Sequence, residues 1–459
     1  MTTHRTLRDP FLTFWLRVRE FAVPPSMIET ATARRTAGDW AGACAAAGVD
    51  VDLAPRTLAA THGRELTDRV RADLRHLAPD LLRWHLPRIA PRGLLRPGLT
   101  IPLARYETGE PGPRAAVHLV VRTPPAWADA GQRISLALWD GARAAPVRHP
   151  HPRPSTRFRL DLHRHLWDAR RTAELGERSG AGPAAAGPPP GQEVAALVPP
   201  DRRCAVDRWA AEAELLLRAD SRTDRTFAVR LGGGHRLLLE PAAHGDGSGV
   251  PPVLRVADPP GERSGSIPPV LPDAAVWALP DAELVRDGAL DPGRLHPLVR
   301  TALFPDRPAS LAAGTEDAAG RIRLVDCRGE RHRIGLVDGV LAPLDHDPAE
   351  LRREELLAAL TGTPVPCLQA VDAAHRRPDC LGGVRERLDH GDIGGALAVV
   401  EGLLGPDAVL RDGPLRDELE SAARRRIAYG LFRAGLAEPA PRARRREPAR
   451  TRSPRRSRP

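Results

Sequence analysis

The stretch RRTAGDWAGACAAAGVDVD, Arg34 to Asp52, closes one helix and opens another within a few residues. Gly38 can adopt the left-handed conformation that ends a helix, and Asp39 can cap the next. The Gly42-Ala43 pair, one turn later, lets two helices approach closely. Near the other end of the chain the spacing returns: Arg34-x-x-x-Gly38-Asp39-x-x-Gly42-Ala43 matches Arg387-x-x-x-Gly391-Asp392-x-x-Gly395-Ala396. Both stretches predict a helical hairpin, broadly similar to the hairpins of helical repeats, but two distant copies do not make an array. Cys44 reads as a packed core residue, because the Asp39 carboxylate opposes a thiolate and CAAAG is what a close-packed helix contains.

Outward from this turn, residues 5–88 read as helical. SMIE, Ser26 to Glu29, has the form of a capping box and predicts a helix from about Met27. Leu66, Val70, Leu74, Leu77 and Leu81 form an apolar stripe that Pro79 bends or divides. From about residue 97 the period changes to that of strands, in LTIPLARY, AAVHLVVRT and RISLALWD. RTFAVRLGGGHRLLLE predicts a hairpin, and residues 322–344 predict three strands joined at CRGE and VDG. Helices are expected at about 159–178, 204–219 and 292–304, and two more carry the stripes Ile393, Leu397, Val400, Leu404 and Leu415, Leu419, Ala423, Ile427, Leu431.

The resulting expectation is an α+β chain with helical N-terminal and C-terminal modules around a mixed strand and helix body. Its divisions are a helical region at 1–95, an α+β region at 96–178 and a Pro/Gly/Ala-rich linker at 179–203. A second α+β region at 204–361 carries a disordered excursion at about 241–269, and a helical module at 362–437 precedes a disordered Arg-rich tail at 438–459.

Among 459 residues there is no lysine and no asparagine, so every strong base is an arginine. That bias belongs first to a GC-rich coding composition. Of the net charge of +10, eight charges fall between Ala440 and Pro459, which leaves the rest of the chain near neutral. The anion-contact candidates are therefore Arg442, Arg444, Arg445, Arg446, Arg450, Arg452, Arg455, Arg456 and Arg458, which could meet nucleic acid by counterion release without any stacking aromatic.

Absence of lysine excludes a GxxxxGK[ST] phosphate loop, a pyridoxal Schiff base and a kinase strand lysine. HExxH, GxSxG and a complete GxGxxG are also missing. The five cysteines form no CxxC pair, and no cofactor is expected. The weak metal candidates are His163 and His165 with Asp161; in a strand the two imidazoles would share a face, but the continuation HLWDARRTAELGE favours a helix, on which they diverge. Asp50 and Asp52, and Asp345 and Asp347, read as structural acids, the latter pair as a helix start before Pro348. The two Trp-Asp dipeptides, 139–140 and 167–168, are too close for propeller blades. Eight tryptophans are available to fill cores or to line a partner groove.

These features give a reducing, cytoplasmic protein without a membrane span, most simply a non-enzymatic adaptor or accessory subunit whose partner is another protein. The alternatives are an enzyme with a nonstandard site, a hydrolase first, and a nucleic-acid-associated protein acting through its tail. An apolar groove lined by Trp would favour the first of these readings.

Overall fold

The computed structural model describes residues 9–108, 116–129, 131–141, 149–179, 192–199, 203–232, 234–241, 254–257, 267–306, 323–327 and 329–436. The tail and its nine arginines, and much of both Pro/Gly-rich segments, lie outside these residues. The fold is α+β, with small separate sheets among helices, the smallest of them the two-stranded ribbon of β2, Arg88–Ile89, and β3, Leu94–Leu95.

Among the described residues, three apolar cores organise it. The first joins the N-terminal helices to a four-stranded sheet of order β1-β6-β5-β4, formed by Val49–Val51, Ile134–Trp139, Ala116–Arg122 and Thr100–Glu107. β1 runs parallel to β6 with Val49 opposite Ile134, and the other pairings are antiparallel. Residues from much later in the chain, including Leu284 and Val299, complete this core. The second core packs the helix Trp209–Ala219 on the antiparallel sheet β7-β8-β9, formed by Phe227–Gly232, His235–Pro241 and Leu254–Val256. The third lies among the helices Pro366–Arg376, Leu381–His390, Ile393–Leu404 and Pro414–Arg433. Beside it stands the sheet β10-β11-β12, formed by Arg323–Cys327, Glu330–Val337 and Val340–Pro343. Asp338 and Gly339, at φ of 50° and 75°, make the tight turn between its last two strands.

Several local expectations need correction. The helix expected from about Met27 starts at Pro25, which puts Ser26 inside its first turn and not at the cap, and no side chain caps this helix among the described residues. Val49–Val51 is a strand, too short to show a period in the sequence. Leu254–Val256 pairs with β8 inside the expected disordered excursion, and Val194, in a short helix within the expected linker, is buried in the second core.

Residues 159–178 are not one helix. They form 3₁₀ turns at Arg164–Leu166 and Thr172–Glu174 before a single turn at Leu175–Arg178. Their backbone bonds outward instead: the Trp167 carbonyl accepts from Ala78 at 2.8 Å, and the Ala169 amide donates to His76 at 2.9 Å. Asp168, wholly buried, holds Arg164 at 2.7 Å and Arg170 at 2.8 Å. Tertiary partners for backbone and side chains override the helical propensity of this segment.

The C-terminal module is fastened to the first core by a buried cation. Arg83, in the helix Pro79–His85, donates to the carbonyls of Ala22, Gln132 and His390 at 3.0, 2.7 and 3.0 Å. Burial lowers its pKa to about 10, so the guanidinium stays charged at neutral pH while serving three chain segments. Tyr429 donates to Asp50 at 2.6 Å and Arg433 grips Asp52, so the Asp-Val-Asp acids anchor the last helix.

Candidate functional site

A cleft of about 670 Å³ opens between the first and second cores. The helix Pro10–Arg17 contributes Phe11, Phe14 and Trp15 to it, all on one side because the PFLTFW run places aromatics at spacings of three and four. Asp9 caps that helix, accepting from the amide of Phe11 at 2.8 Å, and Arg203 ties the cap to the other wall at 2.7 Å. Phe158 and Trp277 complete the aromatic lining.

The cations of the cleft fall into two groups. Arg157, Arg159, Arg178 and Arg203 are each paired with carboxylates of the chain, on Asp273, on Asp161 and Asp220, on Glu212, and on Asp9, Glu283 and Asp287. Two of them also cover rings, Arg157 over Phe158 at 5.0 Å and Arg203 over Phe11 at 4.8 Å. Arg88 is different. Among the described residues it donates only to the carbonyls of Gly93 and Arg83, at 2.8 and 2.7 Å, and its Nε is buried without a partner there. Burial, then the neighbouring Arg83 charge, holds its pKa well below the ordinary guanidinium value. Arg96 is exposed at the rim, with no carboxylate partner among the described residues.

Two imidazoles also line the cleft. His85 is brought down to about 3 by burial and by the charges of His296 and Arg88, and His165 lies well below its usual value through burial and Arg178. Both are therefore neutral at physiological pH. Their Nε2 and Nδ1 atoms, respectively, are buried without partners among the described residues.

The three residues proposed from sequence as metal ligands separate in function. Asp161 is held by Arg159, through Nε at 2.9 Å and a terminal nitrogen at 2.8 Å. His163 donates from Nδ1 to the Arg159 carbonyl at 2.8 Å and places Nε2 3.1 Å from Glu212. Burial raises the Glu212 pKa, but His163 and Arg178 outweigh it and bring the carboxyl down to about 2. His165 alone faces the cleft, with its ring 5.8 Å from that of His163. The set is thus an ion-pair network with one imidazole on the wall of the cleft.

Cys44 is 1% exposed, and burial followed by the Asp39 charge raises its thiol to about 12, as a packing residue requires. Asp347 caps the helix Pro348–Thr361 through Ala349, whereas Asp345 pairs with Arg333. A second hollow, of about 380 Å³, is lined by Tyr429 and Arg433, both already engaged by Asp50 and Asp52.

Sequence reading missed Arg88, Arg96, Phe158 and Trp277 as members of one site, because they converge from three separate segments, the two arginines from one hairpin. The aromatic cluster PFLTFW, beside a count of eight tryptophans, was the signal that could have drawn attention to this wall. Comparison with known protein families, with curated proteins and with solved structures found no match.

Proposed function

We propose that the chain is a non-catalytic interaction protein whose cleft receives a short apolar segment of a partner protein bearing an acidic group. The observation that carries this reading is the aromatic wall of Phe14, Trp15 and Trp277 beside Arg88 and Arg96, two cations without carboxylate partners among the described residues. An anion on the occupant supplies the missing counter-charge, and the rings bury its apolar part. The volume matches a few side chains, within the about 300–1,000 Å³ typical of ligand clefts. The neutral His85 and His165 serve here as hydrogen-bond partners, since their low pKa values leave neither poised for proton transfer near neutral pH.

A displayed library of random short peptides tests this. The enriched sequences should combine an acidic residue with Trp, Phe or Leu, shift the fluorescence of Trp15, and bind Arg96→Glu about tenfold more weakly, equivalent to about 1.4 kcal/mol. Equal binding to the charge-reversed variant, or no enrichment while a free aromatic acid saturates the cleft, would overturn the assignment.

A further inference from the structure

Away from the cleft, Cys327, His346 and Cys367 bring two sulfurs and an imidazole nitrogen within 4.8 Å of one another, the one three-donor group of this kind among the described residues. Three different elements supply them. Cys327 ends β10 and is fully buried, Cys367 lies in the first turn of the helix Pro366–Arg376 and is also fully buried, and half-buried His346 occupies the connection after β12. The position of His346 is fixed from both sides. Arg333 holds the adjacent Asp345, through its backbone amide at 2.7 Å and Nε at 3.0 Å, and the ring of His332 stacks on that of His346 at 4.3 Å and 9°. His346 Nε2 stands 3.4 Å from Cys367 Sγ. Zinc bonds of about 2.3 Å to sulfur and about 2.0 Å to nitrogen place tetrahedral donors about 3.5–3.8 Å apart, so the His346–Cys367 pair already stands near ligand separation, and the pairs with Cys327, within 4.8 Å, need at most about 1 Å of closure.

An independent observation comes from the packing around it. The strands β10 to β12 bury only Cys327, Ile334 and Pro343, and the helix Pro348–Thr361 that follows buries no residue. A sheet with so little apolar burial gains most from a metal that links its edge to a neighbouring helix.

The geometry points to a zinc site in which Cys327, His346 and Cys367 bind the ion and tie β10 to the helix Pro366–Arg376, with water in the fourth position on the solvent side. Two zinc–sulfur bonds replace two S–H bonds, and the protons pass to solvent. The soft thiolates with imidazole select zinc over magnesium or calcium. This runs against the expectation of no cofactor, which rests on the absence of a CxxC pair; here the donors come together only through the fold.

The test uses the full chain, expressed with zinc and purified reduced without chelator. Elemental analysis should find about one zinc per chain, falling below about a tenth in Cys327→Ser and in Cys367→Ser and unchanged in Cys380→Ser. Should the serine variants fail to fold, metal-stripped parent protein serves instead. Cobalt(II) should produce tetrahedral ligand-field bands with thiolate-to-metal charge transfer, and zinc should slow hydrogen exchange across β10–β12 by about tenfold or more. A parent protein that carries no zinc and gives no thiolate–cobalt absorption, or serine variants that fold and keep their zinc, would overturn the assignment.

Discussion

The two Arg-x-x-x-Gly-Asp-x-x-Gly-Ala turns have the same internal chemistry and different surroundings. Gly38 and Gly391 are both left-handed, at φ of 81° and 87°. Asp39 accepts from the Gly42 amide at 2.8 Å and Asp392 from Gly395 at 2.9 Å, while Arg34 and Arg387 reach forward to the same carboxylates at 2.9 and 2.7 Å. The later glycine is required for a reason other than helix contact. A Cβ at Gly42 would lie 2.0 Å from the Asp39 carboxylate, and one at Gly395 would lie 2.1 Å from that of Asp392, so the glycine makes room for the cap. Outside the motif the copies diverge: a Cβ at Gly38 would meet nothing within 4 Å, but one at Gly391 would lie 1.9 Å from the carbonyl oxygen of Gly131. A repeated spacing specifies a local turn, and the tertiary neighbours decide how much depends on it.

The largest expected effect follows from that divergence. Gly38→Ala should cost about 1 kcal/mol, the strain of a left-handed alanine. Gly391→Ala adds a backbone clash that neither segment can relieve by rotating a side chain, and should cost about 3 kcal/mol or more. Chemical denaturation of both variants compares them directly. Equal losses would mean that the contact between Gly391 and Gly131 is not kept in solution.

A smaller, pH-dependent difference comes from the residue before each turn glycine. Ala37 stands in the first copy; His390, fully buried, stands in the second, with its Nε2 donating to the Arg92 carbonyl at 3.0 Å. Burial, then the charges of Arg88 and Arg83, lowers its pKa to about 3. Because the folded value lies below the unfolded one, the unfolded chain takes up a proton first as pH falls, and stability is lost from about pH 6.5 down to about pH 3. The contribution of His390 between pH 7 and pH 5 is about 2 kcal/mol. His390→Gln should flatten the stability profile by that amount, whereas Ala37→Gln should leave its slope unchanged. Parallel profiles for the parent and His390→Gln would remove His390 as a source of acid sensitivity.

What could be read in the sequence was what neighbouring residues decide among themselves. The turn glycines, their aspartate caps, the strands β4 to β6 and the C-terminal helices all follow from periodicity or from short-range chemistry. Arg83 shows the limit: nothing around it in sequence announces a guanidinium shared by Ala22, Gln132 and His390. The cleft failed for the same reason, since Trp15, Arg88, Phe158 and Trp277 meet only once the two cores are assembled. The helix expected around His163 and His165 does not form, because their segment takes backbone partners from residues 76–78, a choice that no local pattern records.

The smallest expected effect tests whether the two turns share their cap geometry. Gly42→Ala and Gly395→Ala each force the capping carboxylate aside, and a lost cap costs about 1 kcal/mol. Replacing glycine by alanine in a helix returns up to about 1 kcal/mol, so at Gly395 the net change should stay within about 0.5 kcal/mol of zero. The informative quantity is the coupling to the cap. In Asp392→Ala/Gly395→Ala the cap is lost only once, so the double variant should be more stable than the sum of its singles predicts, and Asp39→Ala/Gly42→Ala should show the same sign. Denaturation of both cycles makes the comparison. Additive cycles, or a large loss at Gly42 alone, would return that glycine to the role its sequence first suggests, a point of close approach between helices.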